Sequence, residues 1–258
     1  MLKMELTRIS RRLIFWLLIL VGFILAILPV IQTWPHHVTS DYYVTYPGSP
    51  YVMWMYFVSD TFYIYELIFP LLAALAFSDA YAEDVNTGLI KSILTKIEKK
   101  RYLLTRYTVN FCVGGIAAVF PLAINLLAEM TAYPMIDNNF YFGMALVTRD
   151  SFAPDLFYHH PIIYVMSRLV LLFLLGGILA SVGLALSTVV RNRYIVVVIP
   201  FLVYVGLDVL FSSMSMDSII MLFMRNIQAS WQLFYYLLVG FVSTFIWYFL
   251  AGDKNETL

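Results

Sequence analysis

Five ionisable residues lie within or at the edges of long apolar stretches: Asp60, Glu66, Glu129, Arg168 and Asp208. A charge inside hydrocarbon is costly, so such residues either pair with one another or line a path for a polar ligand. Glu66 and Arg168 fall at similar depths in their stretches. We expect Arg168 to form an ion pair with Glu66 or with Asp208. The alternative is an acidic vestibule for a cationic or amphipathic ligand.

A second group of charges surrounds a short amphipathic segment. Glu83 and Asp84 precede Asn86-Thr87-Gly88, which is typical of a turn because Asn and Gly adopt positive φ cheaply. The segment 89–97 then predicts a short helix, too short to span a bilayer, that lies on the membrane surface with its apolar face toward lipid or another protein. That face comprises Leu89, Ile90, Ile93, Leu94 and Ile97, with Lys91 and Lys96 at its rim.

The histidines and the single cysteine do not form a catalytic or metal-binding pattern. His36-His37 and His159-His160 are adjacent pairs, and two adjacent side chains of a regular element cannot both face one ion. Cys112 lies in an apolar run, where it is expected to pack as a small hydrophobe. The sequence also lacks the G-x-x-x-x-G-K-[ST] loop that cradles nucleotide phosphates. We therefore predict neither an enzyme nor a metal site.

The composition identifies the elements that must hold these residues. Of 258 residues 62% are apolar and 12% are charged, and the mean hydropathy is +0.82. These values exclude a soluble enzyme, a disordered chain and a disulfide scaffold. They predict an all-α integral membrane protein in which each span needs about 20 apolar residues. Six runs qualify: 13–33, 57–77, 107–130, 162–190, 194–213 and 231–250.

The distribution of lysine and arginine predicts the orientation of these spans. Thirteen of the sixteen basic residues lie on one side, in the N-terminus, the connectors after spans two and four, and the C-terminal tail. Basic connectors stay in the cytoplasm, so both termini are expected there. The net charge is zero, which gives no reason to expect a nucleic-acid partner.

Two shorter segments have apolar patterns of their own. Residues 1–12 carry Leu2, Leu6 and Ile9 on one helical stripe, which favours either an interface helix on the membrane or a simple positive anchor for span one. Residues 214–230 are too apolar for a free loop and predict a short re-entrant or interfacial helix outside the cell.

Small residues give span four closely packing faces, which suit either a dimer contact or packing within one chain. These residues are Gly176, Gly177, Ala180, Ser181, Gly183 and Ala185.

In layout the whole chain resembles the permease subunit of ABC-2-type transporters, and in sequence the resemblance is concentrated in 83–110. Two stretches carry it: Glu83-Asp84-Val85-Asn86-Thr87-Gly88-Leu89-Ile90-Lys91-Ser92-Ile93-Leu94 and Arg101-Tyr102-Leu103-Leu104-Thr105-Arg106-Tyr107.

The resemblance implies a bacterial plasma-membrane exporter of a peptide, antibiotic or lipid-like substrate. It also implies a single permease domain, 1–258, with 83–94 as the segment that couples to the ATPase. ATP and Mg would be bound by that separate ATPase, and a second permease copy or homologue would complete a dimer.

Two other functions fit the sequence. An ion- or proton-coupled transporter or channel would use Glu66, Asp208 and Arg168 as a relay, although these residues cluster toward the outer side and no inverted repeat is evident. A membrane-embedded assembly or immunity factor would need no transport cycle at all.

Overall fold

The computed structural model describes residues 1–33, 48–56, 60–138, 147, 151–223 and 230–254. Helices joined by turns and short connectors account for this part of the chain. The helices are α1 (Leu2–Ser10), α2 (Leu13–Thr33), α3 (Pro50–Tyr56), α4 (Asp60–Phe77), α5 (Ala80–Asn86), α6 (Leu89–Leu94), α7 (Lys99–Ala132), α8 (Pro154–His159), α9 (Pro161–Ser187), α10 (Arg193–Ser213), α11 (Ile219–Phe223) and α12 (Gln232–Lys254).

Six of these helices are long and apolar enough to cross a membrane: α2, α4, α7, α9, α10 and α12. The candidate span that contains α4 also includes α5. This confirms the predicted number of spans and an all-helical, multi-pass membrane protein. Their surface agrees, because α2, α10 and α12 expose large apolar side chains such as Leu20, Leu202 and Leu238. Such surfaces are stable in lipid and would be costly in water.

Wherever both are described, the predicted boundaries agree with the structure to within four residues, except at the start of span three. Span three begins at Lys99 rather than at 107, because the helix continues past the apolar run into a basic, polar segment. Span two is described from Asp60 onward, so 57–59 of the prediction lie outside the described residues. A break at Ser78-Asp79 then separates α4 from α5.

Helix α9 is the centre of the bundle and packs against α4, α7, α10 and α12. Small residues let it approach α7 closely: a Cβ added at Gly176 would lie 2.6 Å from the Cβ of Ala118, and one added at Gly177 would lie 2.8 Å from the ring of Phe111. The small-residue face of span four therefore packs within the chain.

The two ends of the bundle differ in chemistry. One end, here called the α1 end, comprises α1, α5, α6, the α9–α10 turn and the end of α12. There Lys99 Nζ donates a hydrogen bond to the carbonyl of Asp253 at 2.7 Å. The opposite end is formed by α3, α8 and α11, where Asn138 donates to the carbonyl of Phe157 and accepts from Ser49. Since α1 and the end of α12 share one end, the even number of spans is consistent with both termini on one side.

Candidate functional site

The α1 end holds a cluster of ion pairs that sequence reasoning missed. At its centre, Asp84 is fully buried and accepts from Arg8 Nη1 at 2.5 Å, from Tyr102 Oη at 2.7 Å and from Arg106 Nη2. Arg106, also fully buried, donates through Nη1 to Glu5 Oε2 at 2.5 Å. One carboxylate on α5 therefore connects α1 with the first turns of α7.

Two further carboxylates extend the cluster to the start of α10. Asp79 accepts from Arg12 Nη1 at 2.6 Å and from Arg193 Nε and Nη2 at 2.9 and 2.6 Å. Glu83 accepts from Arg8 Nη2 at 2.7 Å and also from Arg12. Planar guanidinium groups favour such paired contacts because their N–H groups match the carboxylate in spacing.

The cluster contains four arginines and four carboxylates, so its formal charge is zero. We refer to it as the ion-pair cluster: Glu5, Arg8, Arg12, Asp79, Glu83, Asp84, Arg106 and Arg193. A buried ion pair adds little net stability compared with apolar packing, but losing one partner is costly. The main effect of the ion-pair cluster is geometric, because the cluster fixes α1 against α5, α7 and α10.

This arrangement changes the interpretation of Glu83 and Asp84, which the sequence placed in a segment facing a partner protein. Both carboxylates point into the chain and bind its own arginines. The sequence did contain a signal for this, since Arg8 and Arg12 are one helical turn apart and Asp79 and Glu83 have the same spacing. What it could not show was which of the chain's charges meet across about 70 residues.

The turn at Gly88 forms as predicted. Gly88 has φ +70°, in the left-handed region that glycine occupies at little cost, and it separates α5 from α6. Helix α6 ends at Leu94 rather than at 97, and 95–97 form a turn. The backbone direction therefore changes sharply between the buried ion pairs and the exposed short helix.

The apolar face predicted for α6 is largely used within the chain, which corrects its assignment to an intermolecular contact. Ile90 and Ile93 are buried, whereas Leu94 and Ile97 are half-buried. They pack with a group of aromatic residues that comprises Tyr81, Tyr102, Tyr107 and Tyr248. Only Leu89, 39% exposed, remains as a large apolar side chain on the outer side, beside exposed Lys91 and Lys96.

The intramembrane charges lie elsewhere, toward the end of the bundle opposite α1. Glu66 and Arg168 are both buried, and Arg168 Nη1 lies 2.9 Å from Met55 Sδ. Asp208 does not form the ion pair with Arg168 that the sequence allowed. Its Oδ1 accepts from the backbone N–H of Ile220 at 2.8 Å, at the start of α11. The side chain of Asp60 lies outside the described part of the chain.

Glu129 is buried near the end of α7, one turn after Asn125, whose amide donates to the carbonyl of Ala26 on α2 at 2.9 Å. His159 and His160 are exposed beside α8, as expected for solvated side chains, while His36 and His37 lie outside the described residues. Within the described ranges, no three His, Cys, Asp or Glu side chains are grouped so that they could hold a metal ion.

No protein-family model, curated protein or solved structure matches the chain. At the α1 end, a neutral, tightly paired cluster lies next to an exposed turn and a short helix.

Proposed function

We propose that this chain is the permease subunit of an ABC-2-type exporter, driven by a separate ATPase that binds ATP and Mg. The α1 end would face the cytoplasm, because it carries most of the basic residues of the chain. One observation carries the proposal: the α5–α6 turn is exposed over 86–89, directly after Asp84 and Val85 of the helix that joins the ion-pair cluster.

A membrane subunit driven from outside the bilayer needs a stiff connection between its contact site and its spans. Helix α5 follows span α4 after the break at Ser78-Asp79. Asp84 of α5 binds Arg106 in the first turns of α7, and Asp79 at the break binds Arg193 at the start of α10. A displacement of the turn at Gly88 would therefore move three spans together. The Asp84–Arg106 pair is fully buried, so water and salt screen it less than they screen an exposed ion pair.

The contact surface for the ATPase would be the outer side of 86–96. It presents Leu89 as a single apolar side chain, surrounded by polar and basic residues: Asn86, Thr87, Lys91, Ser92, Thr95 and Lys96. A small apolar centre with a polar rim is a common design of protein interfaces. The exported substrate would be a peptide, an antibiotic or a lipid-like amphipathic molecule, and a second permease copy or homologue would complete the transporter.

The test is co-expression with the P-loop ATPase encoded by a neighbouring reading frame, followed by co-purification and measurement of ATP hydrolysis and transport. Leu89→Asp should keep the chain in the membrane but reduce permease-stimulated hydrolysis at least tenfold, since a carboxylate buried unpaired in an interface costs more than the about 1.4 kcal/mol that corresponds to a factor of ten. Met135→Asp is the matched control, because Met135 is 59% exposed at the opposite end of the bundle.

Two results would refute the proposal. One is that no ATPase co-purifies with the wild-type chain. The other is normal transport by a correctly assembled Leu89→Asp variant, which would show that the α5–α6 turn is not the coupling site.

A further inference from the structure

An open groove of about 660 Å³ lies between α1 and α5, apart from the contact surface at 86–96. Four of its seven lining residues are cationic and one is acidic: Lys3, Met4, Thr7, Arg8, Arg11, Arg12 and Glu83. Its excess of positive charge favours an anionic ligand.

The positive charge is not cancelled by the ion-pair cluster. Arg8 and Arg12 belong to that cluster, whose four carboxylates balance its four arginines. Lys3 and Arg11 are exposed, and neither forms an ion pair with any described residue. These two side chains therefore leave the groove with about two uncompensated positive charges.

The spacing of these two cations suits an extended ligand. Lys3 lies in the first turn of α1 and Arg11 directly follows its last residue, so their backbones are about 12 Å apart along the helix axis. A ligand with two or more anionic groups along an extended chain, as an acidic peptide segment has, can contact both side chains at once without their converging on one point.

The orientation of α1 favours a ligand from the aqueous side. Leu2 and Leu6, 57% and 52% exposed, project about 140–180° around the helix from Arg11 and Met4 and about 60–100° from Lys3, at about 100° per residue. When the two leucines face the bilayer, the Arg11 side of the groove opens away from it and Lys3 lies at its edge. Arg8 and Arg12 within the same groove already bind carboxylates of the chain itself, with N–O distances of 2.5–2.7 Å for three of their contacts.

We propose that this groove is a second docking site, which binds a carboxylate-rich segment of a cytoplasmic protein. This docking proposal rests on the proposed function only for the cytoplasmic orientation of the α1 end. The site adds an electrostatic contact on α1 to the contact at Leu89, and it gives the interface helix a role beyond anchoring span one.

The test uses the full-length chain in phosphatidylcholine nanodiscs and a fluorescein-labelled deca-glutamate peptide, with binding followed by anisotropy. The double variant Lys3→Gln/Arg11→Gln should weaken binding about tenfold or more, because it removes both uncompensated charges. The control variant Lys100→Gln/Arg101→Gln removes one lysine and one arginine from exposed residues outside both the groove and the contact surface at 86–96, and it should bind within about twofold of the wild type.

Three results would overturn the proposal. Equal loss of binding in both double variants would mean that the peptide senses only overall charge. Competition by inorganic pyrophosphate at the concentration of the peptide would identify a site for small polyanions. Loss of affinity for phosphatidylglycerol vesicles in Lys3→Gln/Arg11→Gln, with peptide binding unchanged, would identify a lipid-headgroup site. None of these measurements depends on an ATPase, so this proposal and the proposed function can fail separately.

Discussion

Within the ion-pair cluster, Asp84 is the residue whose substitution should destabilise the protein most. Its side chain is fully buried, and its two oxygens accept hydrogen bonds from Arg8, Arg106 and Tyr102. Asp84→Asn keeps the shape but leaves the Arg106 guanidinium with one carboxylate partner instead of two. We expect the variant to lose about 3–5 kcal/mol of stability, as is usual when a buried ion pair loses one partner. Thermal unfolding in detergent measures the loss.

Lys96→Gln is the control for that measurement, because Lys96 is exposed at the same end of the bundle and a substitution there should change stability by less than about 0.5 kcal/mol. If the thermal unfolding midpoint of Asp84→Asn equals that of Lys96→Gln, the ion-pair cluster does not hold α1 in place.

Individual residues show both the success and the limit of sequence reasoning. The positive φ of Gly88 was predictable, because local turn chemistry depends on neighbouring residues alone. The partners of Glu83 and Asp84 were not, because they depend on which distant arginines the fold brings within about 3 Å. For the same reason Asp208, which could have met Arg168, instead binds the backbone at Ile220.

At the scale of helices, hydrophobic length located the spans but not all of their ends. The predicted start of span three was late because an apolar run marks the part of a helix that lies in hydrocarbon, whereas α7 continues to Lys99 outside it. The face of α6 was predicted correctly as apolar but assigned to the wrong partner. Periodicity identifies which side chains are buried together, and it does not identify the surface that covers them.

The contact between α7 and α9 gives a testable consequence of close helix packing. Gly176→Val places side-chain atoms where Ala118 already lies, since even a Cβ there would be 2.6 Å from the Ala118 Cβ. Two helices must separate to accommodate the change, and overpacking of this kind costs about 1–3 kcal/mol. The unfolding midpoint in detergent should fall accordingly.

Gly206→Val on α10 is the matched substitution, because a Cβ at Gly206 has no neighbour within 4 Å among the described residues. It changes the same residue type in another span and should leave the midpoint nearly unchanged. Equal destabilisation by the two variants would show that loss of glycine itself, rather than the α7–α9 contact, is responsible.

At the scale of the whole molecule, zero net charge conceals an uneven distribution. Four carboxylates at the α1 end are occupied inside the ion-pair cluster, while the exposed cations Lys3, Arg11, Lys91 and Lys96 and the exposed carboxylates Glu98 and Asp253 lie around it. The sequence showed that basic residues collect on one side. Only the structure separates those that stabilise the fold from those that are available to a partner, and the two docking proposals depend on that distinction.

The orientation itself can be measured with two engineered cysteines in a Cys112→Ala background. Thr87→Cys lies in the exposed α5–α6 turn, and Asp155→Cys lies on exposed α8 at the opposite end. Because basic connectors remain in the cytoplasm, a membrane-impermeant maleimide added to intact cells should label Asp155→Cys and reach Thr87→Cys only after permeabilisation. The reverse pattern would place the ion-pair cluster, the groove and the α5–α6 turn outside the cell, beyond the reach of any cytoplasmic ATPase, and both proposals would fail together.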